Sequence, residues 1–160
     1  MAETLGSLCD KLTIVTLKQW HTDDKVRLGS LGQQATQLRE EIDEFVRSAI
    51  SGAIPVERLT FAANKIFKPE GNSVKPIEGT IGEAFSQLAS VNCALWHEQE
   101  NVYDFENVPN EKKNVVVKQL AVLNLQRNEC IDRIDRSFKE MLQLAPVSNA
   151  PGKGGTESSR

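Results

Sequence analysis

The sequence predicts an all-α protein, a four-helix bundle built from two helical hairpins related by a pseudo-two-fold axis. Apolar residues recur with the 3.6-residue helical period in four long segments. Residues 4–28 also align with residues 80–104 at an offset of about 76 positions, which places both tryptophans and both histidines in register and indicates an internal duplication. Because one hairpin alone leaves its apolar stripe uncovered, the two hairpins should pair.

The individual helices are located by their end signals. Thr4 and Thr80 are placed as helix N-caps, and Thr80 with Glu83 makes a capping box. Gly29 and Gly32 are expected to interrupt the chain before the second helix. The second helices of the two repeats match at an offset of about 89, so the connection in the second hairpin is expected to be about 13 residues longer.

These elements divide the chain into one helical domain, residues 1–145, and a tail, residues 146–160. The domain comprises a first repeat over 3–50, a crossover over 51–78 with a short helix around 56–66, and a second repeat over 79–144. The tail contains almost nothing to bury and is predicted to be disordered.

Charge and hydropathy argue against several classes of partner. A net charge of -3 and a pI near 5.5, with basic residues scattered among acidic ones, give no electrostatic footprint for nucleic acid or an anionic membrane. No apolar run approaches the roughly 18 residues of a membrane span. The three cysteines lie within predicted helices and form no CxxC pair, which favours free thiols in a reducing, cytoplasmic compartment.

Several polar residues fall on or beside the predicted apolar stripes. Asn92, Asn124 and Arg127 are expected to meet, and Glu41 flanks the stripe of its own helix. A buried arginine must be hydrogen-bonded, so Arg127 is predicted to pair with Glu41, Asn92 or Asn124. The set serves either as a network that fixes the register of the helices or as a pocket in which Arg127 meets an anionic group.

A Trp-His pair followed by a carboxylate occurs in both repeats, as Trp20-His21-xx-Asp24 and Trp96-His97-xx-Glu100. On a helix, the histidine and the carboxylate three residues later are neighbours and can hydrogen-bond. The pattern favours a surface pair at the edge of the bundle. If the fold brings both pairs together, imidazole and carboxylate groups suit a Zn or Fe site.

An acidic run lies on the second helix, with Glu40, Glu41 and Glu44 on one stretch and Asp132 in the matching helix. Carboxylates at this spacing either form a solvated helix face or hold Mg²⁺ between facing helices, where the ion would carry a nucleotide phosphate.

Two families share parts of these patterns. Residues 92–100, NCALWHEQE, and residues 123–135, LNLQRNECIDRID, resemble the DUF4254 family of helical proteins, although Thr16 stands where the first repeat would need the asparagine. That resemblance implies a helical fold with any site mainly in the second repeat, and it names no reaction. The acidic run is similar to the EExxE of the MazG and dimeric dUTPase type of nucleotide pyrophosphohydrolase, although the partner ExxD would have to come from far along the chain.

The sequence therefore favours a cytoplasmic, non-enzymatic interaction or assembly module, a homodimer with a protein partner as a further option and no nucleic-acid or membrane partner. The alternatives are a Mg²⁺-dependent nucleotide pyrophosphohydrolase with the acidic set as metal ligands, and a small-molecule-binding bundle. No residue is assigned a catalytic role, and no cofactor is expected outside the Mg²⁺ alternative. The candidate pocket or buried polar network comprises Asn92, Trp96, His97, Glu100, Asn124, Arg127 and Asn128.

Overall fold

The computed structural model describes residues 3–62 and 76–145, and within these ranges the chain is all-α with no strand, as predicted. The predicted tail, residues 146–160, lies outside the described residues. The helices are α1 (Leu5–Trp20), α2 (Lys25–Ile50), α3 (Ile81–Tyr103) and α4 (Asn110–Leu144). Of the short helix expected around 56–66, the described part holds one 3-10 turn, Val56–Arg58.

The N-termini of α1 and α3 are capped as predicted. The Thr4 side chain accepts a hydrogen bond from Ser7 N at 3.2 Å. In α3, Thr80 N donates to Glu83 Oε2 at 2.6 Å, and Glu83 N donates to the Thr80 hydroxyl at 3.3 Å. These reciprocal bonds satisfy amides that a helix start otherwise leaves without partners.

The start of α2 differs from the prediction. The helix begins at Lys25, and Asp24 caps it by accepting a hydrogen bond from Arg27 N at 2.9 Å. Gly29 and Gly32 therefore lie inside the helix. A glycine costs a helix interior only about 1 kcal/mol, which the Asp24 cap and the buried apolar face of α2 outweigh.

The second connection is also shorter than predicted. Residues 104–109 join α3 to α4, and residues 21–24 join α1 to α2. The extra residues of the second repeat mostly lengthen its helices, since α3 has 23 residues against 16 in α1. The α3–α4 hairpin therefore projects past the end of α1 by about 10 Å, at 1.5 Å of rise per residue.

Two core contacts fix how α1 sits on α4. Gly6 lies against the backbone of α4, where an added Cβ would stand 2.5 Å from the Ile131 carbonyl oxygen. Further along, Asp10 meets Arg127, so the two helices run antiparallel. The rest of the core is apolar and includes the fully buried residues Leu8, Ala84, Leu88, Cys130 and Ile134.

The bundle has two different ends. We call the end that carries residues 21–24 and 104–109 the connection end, because both hairpin connections lie there. The opposite end is where α1 begins and where α2 and α4 end. No described helix is long and apolar enough to cross a membrane.

The equivalent histidines of the two repeats, His21 and His97, face each other with ring centroids 6.2 Å apart. The equivalent tryptophans differ in environment, since Trp20 is exposed and Trp96 is half-buried. The internal duplication itself stays a prediction.

Candidate functional site

A polar cluster lies inside the bundle where α1, α3 and α4 meet, and its centre is Asp10, which is only 3% exposed. Arg127 Nε donates to Asp10 Oδ1 at 2.7 Å, and Arg127 Nη2 donates to Oδ2. Asn92 Nδ2 donates to Asp10 Oδ1 at 2.9 Å. The carboxylate therefore accepts a two-pronged guanidinium and an amide, a geometry that makes a strong, directional pair.

Asn92 is the most deeply buried member of this cluster, at 1% exposure. Its Nδ2 also donates to the Thr13 hydroxyl at 2.7 Å, and that hydroxyl in turn donates to the Asp10 carbonyl oxygen. Asn92 Oδ1 is buried and accepts no hydrogen bond within the described part of the chain. The amide thus ties α3 to α1 through its donor side.

The prediction for this region was right about Asn92 and Arg127 and wrong about their partner. Both meet at Asp10, which sequence reasoning did not single out, whereas Glu41 is exposed on α2. Asn124 is also exposed, and its Nδ2 donates to the Leu120 carbonyl oxygen within α4 at 2.9 Å. The physical reason is that α1 packs on this face of α4, so the partner had to come from α1.

The remaining predicted residue on this helix, Asn128, is half-buried on α4. On the helical wheel Asp10 lies about 140° from Leu5, away from the apolar stripe of α1, so the hydrophobic period gave no signal for it.

A second buried carboxyl group lies one helical turn away from this cluster. Asp135 is 4% exposed and accepts a hydrogen bond from Gly6 N at 2.7 Å, at the N-terminus of α1. Burial raises the pKa of Asp135 to about 6, against the opposing effect of the hydrogen bonds from Gly6 and Thr4. In the first cluster, the hydrogen bond to Asp10 raises the pKa of Arg127, so its guanidinium stays charged.

The cluster joins the two hairpins, and the positions that the sequence alignment equates with Asp10 and Arg127 do not repeat it. At the equivalent positions of the other repeat, the chain has Ser86 in place of Asp10 and Leu38 in place of Arg127. Leu38 is a core residue at 6% exposure. Because Nε and Nη2 of Arg127 both donate to Asp10, the geometry suits a contact that holds α1 against α4 better than a pocket for an anion.

The Trp-His residues of the two repeats form a separate cluster at the surface of the connection end. The His21 ring stacks on Trp96 with centroids 4.6 Å apart. Trp96 Nε1 donates to Glu100 Oε1 at 3.0 Å, and His97 Nδ1 lies 3.2 Å from Glu100 Oε2, which confirms the predicted His97–Glu100 pair. The hydrogen bond with His97 is the main cause of a lowered pKa at Glu100.

The corresponding pair in the first repeat does not form as predicted. Asp24 serves as the N-cap of α2. His21 instead sits just past the end of α1, where its Nδ1 lies 2.8 Å from the Leu17 carbonyl oxygen.

The acidic set is not gathered into one site. Glu40, Glu41 and Glu44 are exposed on α2, and Asp132 is half-buried on α4. In the described ranges, no group of three or more His, Cys, Asp or Glu side chains is placed to hold a metal ion. The arrangement of these carboxylates therefore gives the Mg²⁺ alternative no support.

An open groove of about 400 Å³ lies between the segment 76–78, α3 and α4. It is lined by side chains such as Gln87, Val91 and Gln126, and by none of the predicted pocket residues. The groove adjoins a range outside the described residues.

Among the described residues, Ile50, Met141 and Leu144 are large exposed apolar side chains near the end opposite the connections. The connection end carries five such side chains. Three of them flank the two connections, namely Trp20 at the end of α1, Val26 at the start of α2 and Tyr103 at the end of α3. Val115 and Val117, in the first turns of α4, add to the same end.

Comparison of the chain with protein-family models, with curated proteins and with solved structures found no match. The resemblance to the DUF4254 family accordingly stays a prediction.

Proposed function

We propose that this protein is a non-enzymatic interaction module that pairs with a second copy of itself through the connection end. The observation that carries the proposal is the exposure of Trp20, Val26 and Tyr103, each more than four-fifths exposed, at the helix ends that border the two connections. Single exposed apolar residues are ordinary on protein surfaces, but a group rich in Trp and Tyr is typical of interfaces.

The choice of a second copy rests on the charges around these residues. Asp23, Lys25 and Arg27 are all exposed beside Trp20, so the rim carries both signs within one turn. In a two-fold dimer the same surface meets itself, and a rim of mixed sign can be complementary to its own rotated copy. A net charge of only -3 adds little repulsion between copies.

The interior of the bundle fits this role. The polar hydrogen bonds around Asp10 are directed at other parts of the same chain, which fixes the relative positions of α1, α3 and α4. A rigid bundle loses little conformational entropy when it docks, so this loss offsets little of the binding free energy gained by burying apolar surface. The free thiols of Cys9, Cys93 and Cys130 support a cytoplasmic location as part of the proposal.

The test is the mass of the protein in solution, measured by sedimentation equilibrium in the presence of EDTA. The wild type should be a dimer that dissociates on dilution, and Trp20→Ser together with Tyr103→Ser should weaken dimerisation at least tenfold, because aromatic anchors dominate interface energies. Leu144→Ser is the matched control, since Leu144 is 84% exposed but lies at the opposite end. A wild type that is monomeric at millimolar concentration, or a control that dissociates equally, would refute the proposal.

A further inference from the structure

We propose that His21 and His97 together form a binding site for one borderline divalent transition-metal ion, such as Zn²⁺ or Cu²⁺. Both ligands belong to one chain, so binding of the ion does not require the self-association proposed above, although His21 follows Trp20 at the same connection end. The site uses His21, Trp96, His97 and Glu100, to none of which that proposal assigns a role.

Both histidines have their Nδ1 atom beside a hydrogen-bond acceptor. Nδ1 of His21 lies 2.8 Å from the Leu17 carbonyl oxygen, and a carbonyl oxygen only accepts hydrogen bonds. Nδ1 of His97 lies 3.2 Å from a Glu100 carboxylate oxygen, which is also an acceptor. In the neutral rings the proton therefore sits on Nδ1 in both cases. Nε2 is left with its lone pair, which is the arrangement that carbonyl and carboxylate partners impose on metal-binding histidines.

The two histidine rings lie close enough together to bind one ion. The two ring centroids are 6.2 Å apart, and the ring planes are inclined by 77°. Two imidazoles bound to one tetrahedral ion, at metal–nitrogen distances of about 2.0–2.1 Å, have centroids about 5 Å apart. Both rings are exposed, so side-chain rotation can supply the remaining shift of about 1 Å.

Both histidine rings are already positioned by their neighbours. His21 stacks on Trp96 at 4.6 Å, and Trp96 Nε1 is held by Glu100 at 3.0 Å. Glu100 thus orients both rings, one directly and one through the indole. Such support lowers the ordering cost when an ion binds.

The ligand chemistry selects the class of ion. Imidazole nitrogen suits Zn²⁺, Cu²⁺ and Ni²⁺, whereas Mg²⁺ and Ca²⁺ prefer oxygen ligands. No third ligand is placed nearby in the described residues, so water would complete the coordination. Copper should bind more tightly than zinc, and binding should weaken in mildly acidic solution because a protonated imidazole has no free lone pair.

The experiment is isothermal titration of the tag-free, EDTA-treated protein with ZnCl₂ and separately with CuSO₄. One ion per chain is expected, and His21→Ala or His97→Ala alone should lower the affinity at least tenfold. Glu100→Gln should lower it about tenfold, the effect typical of a lost outer-shell partner. Cu²⁺ should also quench the fluorescence of Trp96, which an ion bound far from the indole would not do.

Cys93→Ser is the control variant. Cys93 is an exposed thiol one helical turn before His97 and is the nearest alternative ligand along α3. Its replacement should leave affinity and stoichiometry unchanged. The proposal is overturned if neither ion binds with a saturable isotherm, if the His21→Ala/His97→Ala double variant keeps wild-type affinity, or if Cys93→Ser abolishes binding. Circular dichroism of each variant confirms that the helices are retained.

Discussion

The ion pair between Asp10 and Arg127 allows a sharp test, because the other repeat supplies the replacement residues. Exchanging them gives the single variants Asp10→Ser and Arg127→Leu and the double variant, which carries the residues found at Ser86 and Leu38. Arg127→Leu leaves a carboxylate that is 3% exposed with only the Asn92 amide as donor. Removing one partner of a buried pair costs about 3–5 kcal/mol of unfolding free energy.

The lower part of that range applies here. The Arg127 side chain is 33% exposed, so water reaches the edge of the pair and softens the loss. We expect Arg127→Leu to lower the free energy of unfolding by about 3 kcal/mol. Asp10→Ser should lower it by about 2 kcal/mol, since the guanidinium can turn to solvent while the three hydrogen bonds to the carboxylate are lost. The double variant should lose only about 2 kcal/mol, because no unpaired charge remains inside.

The assay is urea unfolding followed by far-ultraviolet circular dichroism, with all four proteins at the same concentration. If the two single losses were additive, the double variant would lose about 5 kcal/mol. We expect it to lose only about 2 kcal/mol, so the predicted coupling energy between the two sites is about 3 kcal/mol. If the loss in the double variant equals the sum of the two single losses to within about 0.5 kcal/mol, the pair is not energetically coupled. The inference that this ion pair holds α1 against α4 would then be wrong.

Three further predictions concern close packing, proton binding and thiol access. Gly6→Ala should destabilise the protein by about 2 kcal/mol in urea unfolding, because the new Cβ would lie 2.5 Å from a backbone oxygen of α4. Gly82→Ala, whose nearest atom is 3.9 Å away, should be neutral or stabilising, and equal losses at both sites would contradict the reasoning. Burial raises the pKa of Asp135 from 3.8 to about 6, so its contribution to stability is present below about pH 4 and is lost as the pH rises through 6. The free energy of unfolding should fall by about 2–3 kcal/mol between pH 4 and 7 in the wild type, and Asp135→Asn should reduce this fall. The exposed control Asp23→Asn should leave it unchanged. A thiol reagent at pH 8 should label Cys93 alone in the folded protein. Cys9 and Cys130 are buried, and burial raises their pKa values to about 12 and about 11. Mass spectrometry that shows more than one label would contradict this.

The sequence was sufficient for features set by neighbouring residues. The Thr80–Glu83 capping box depends on two side chains three positions apart, and it forms as predicted. The helical period likewise identified four amphipathic segments without reference to the rest of the chain. Local chemistry therefore accounts for the fold class and for most helix starts.

Features set by which helix packs on which were not predictable in this way. Arg127 was expected to pair with Glu41, Asn92 or Asn124, but its hydrogen-bond partner is Asp10, which is distant in sequence. Asp24 could pair with His21 or cap α2. It caps α2, because a helix start leaves several amides without partners. Each error arose where two local rules competed or where tertiary packing made the choice.

The contacts that secure α1 have a consequence for synthesis on the ribosome. Asp10 and Arg127 are 117 residues apart, and Gly6 and Asp135 are 129 apart. At a translation rate of about 5–20 residues per second, α1 is made roughly ten seconds before the helix that neutralises its buried carboxylate. Through most of elongation the nascent chain therefore carries a first hairpin whose Asp10 has no Arg127 to pair with. Chaperone binding would matter most during that interval.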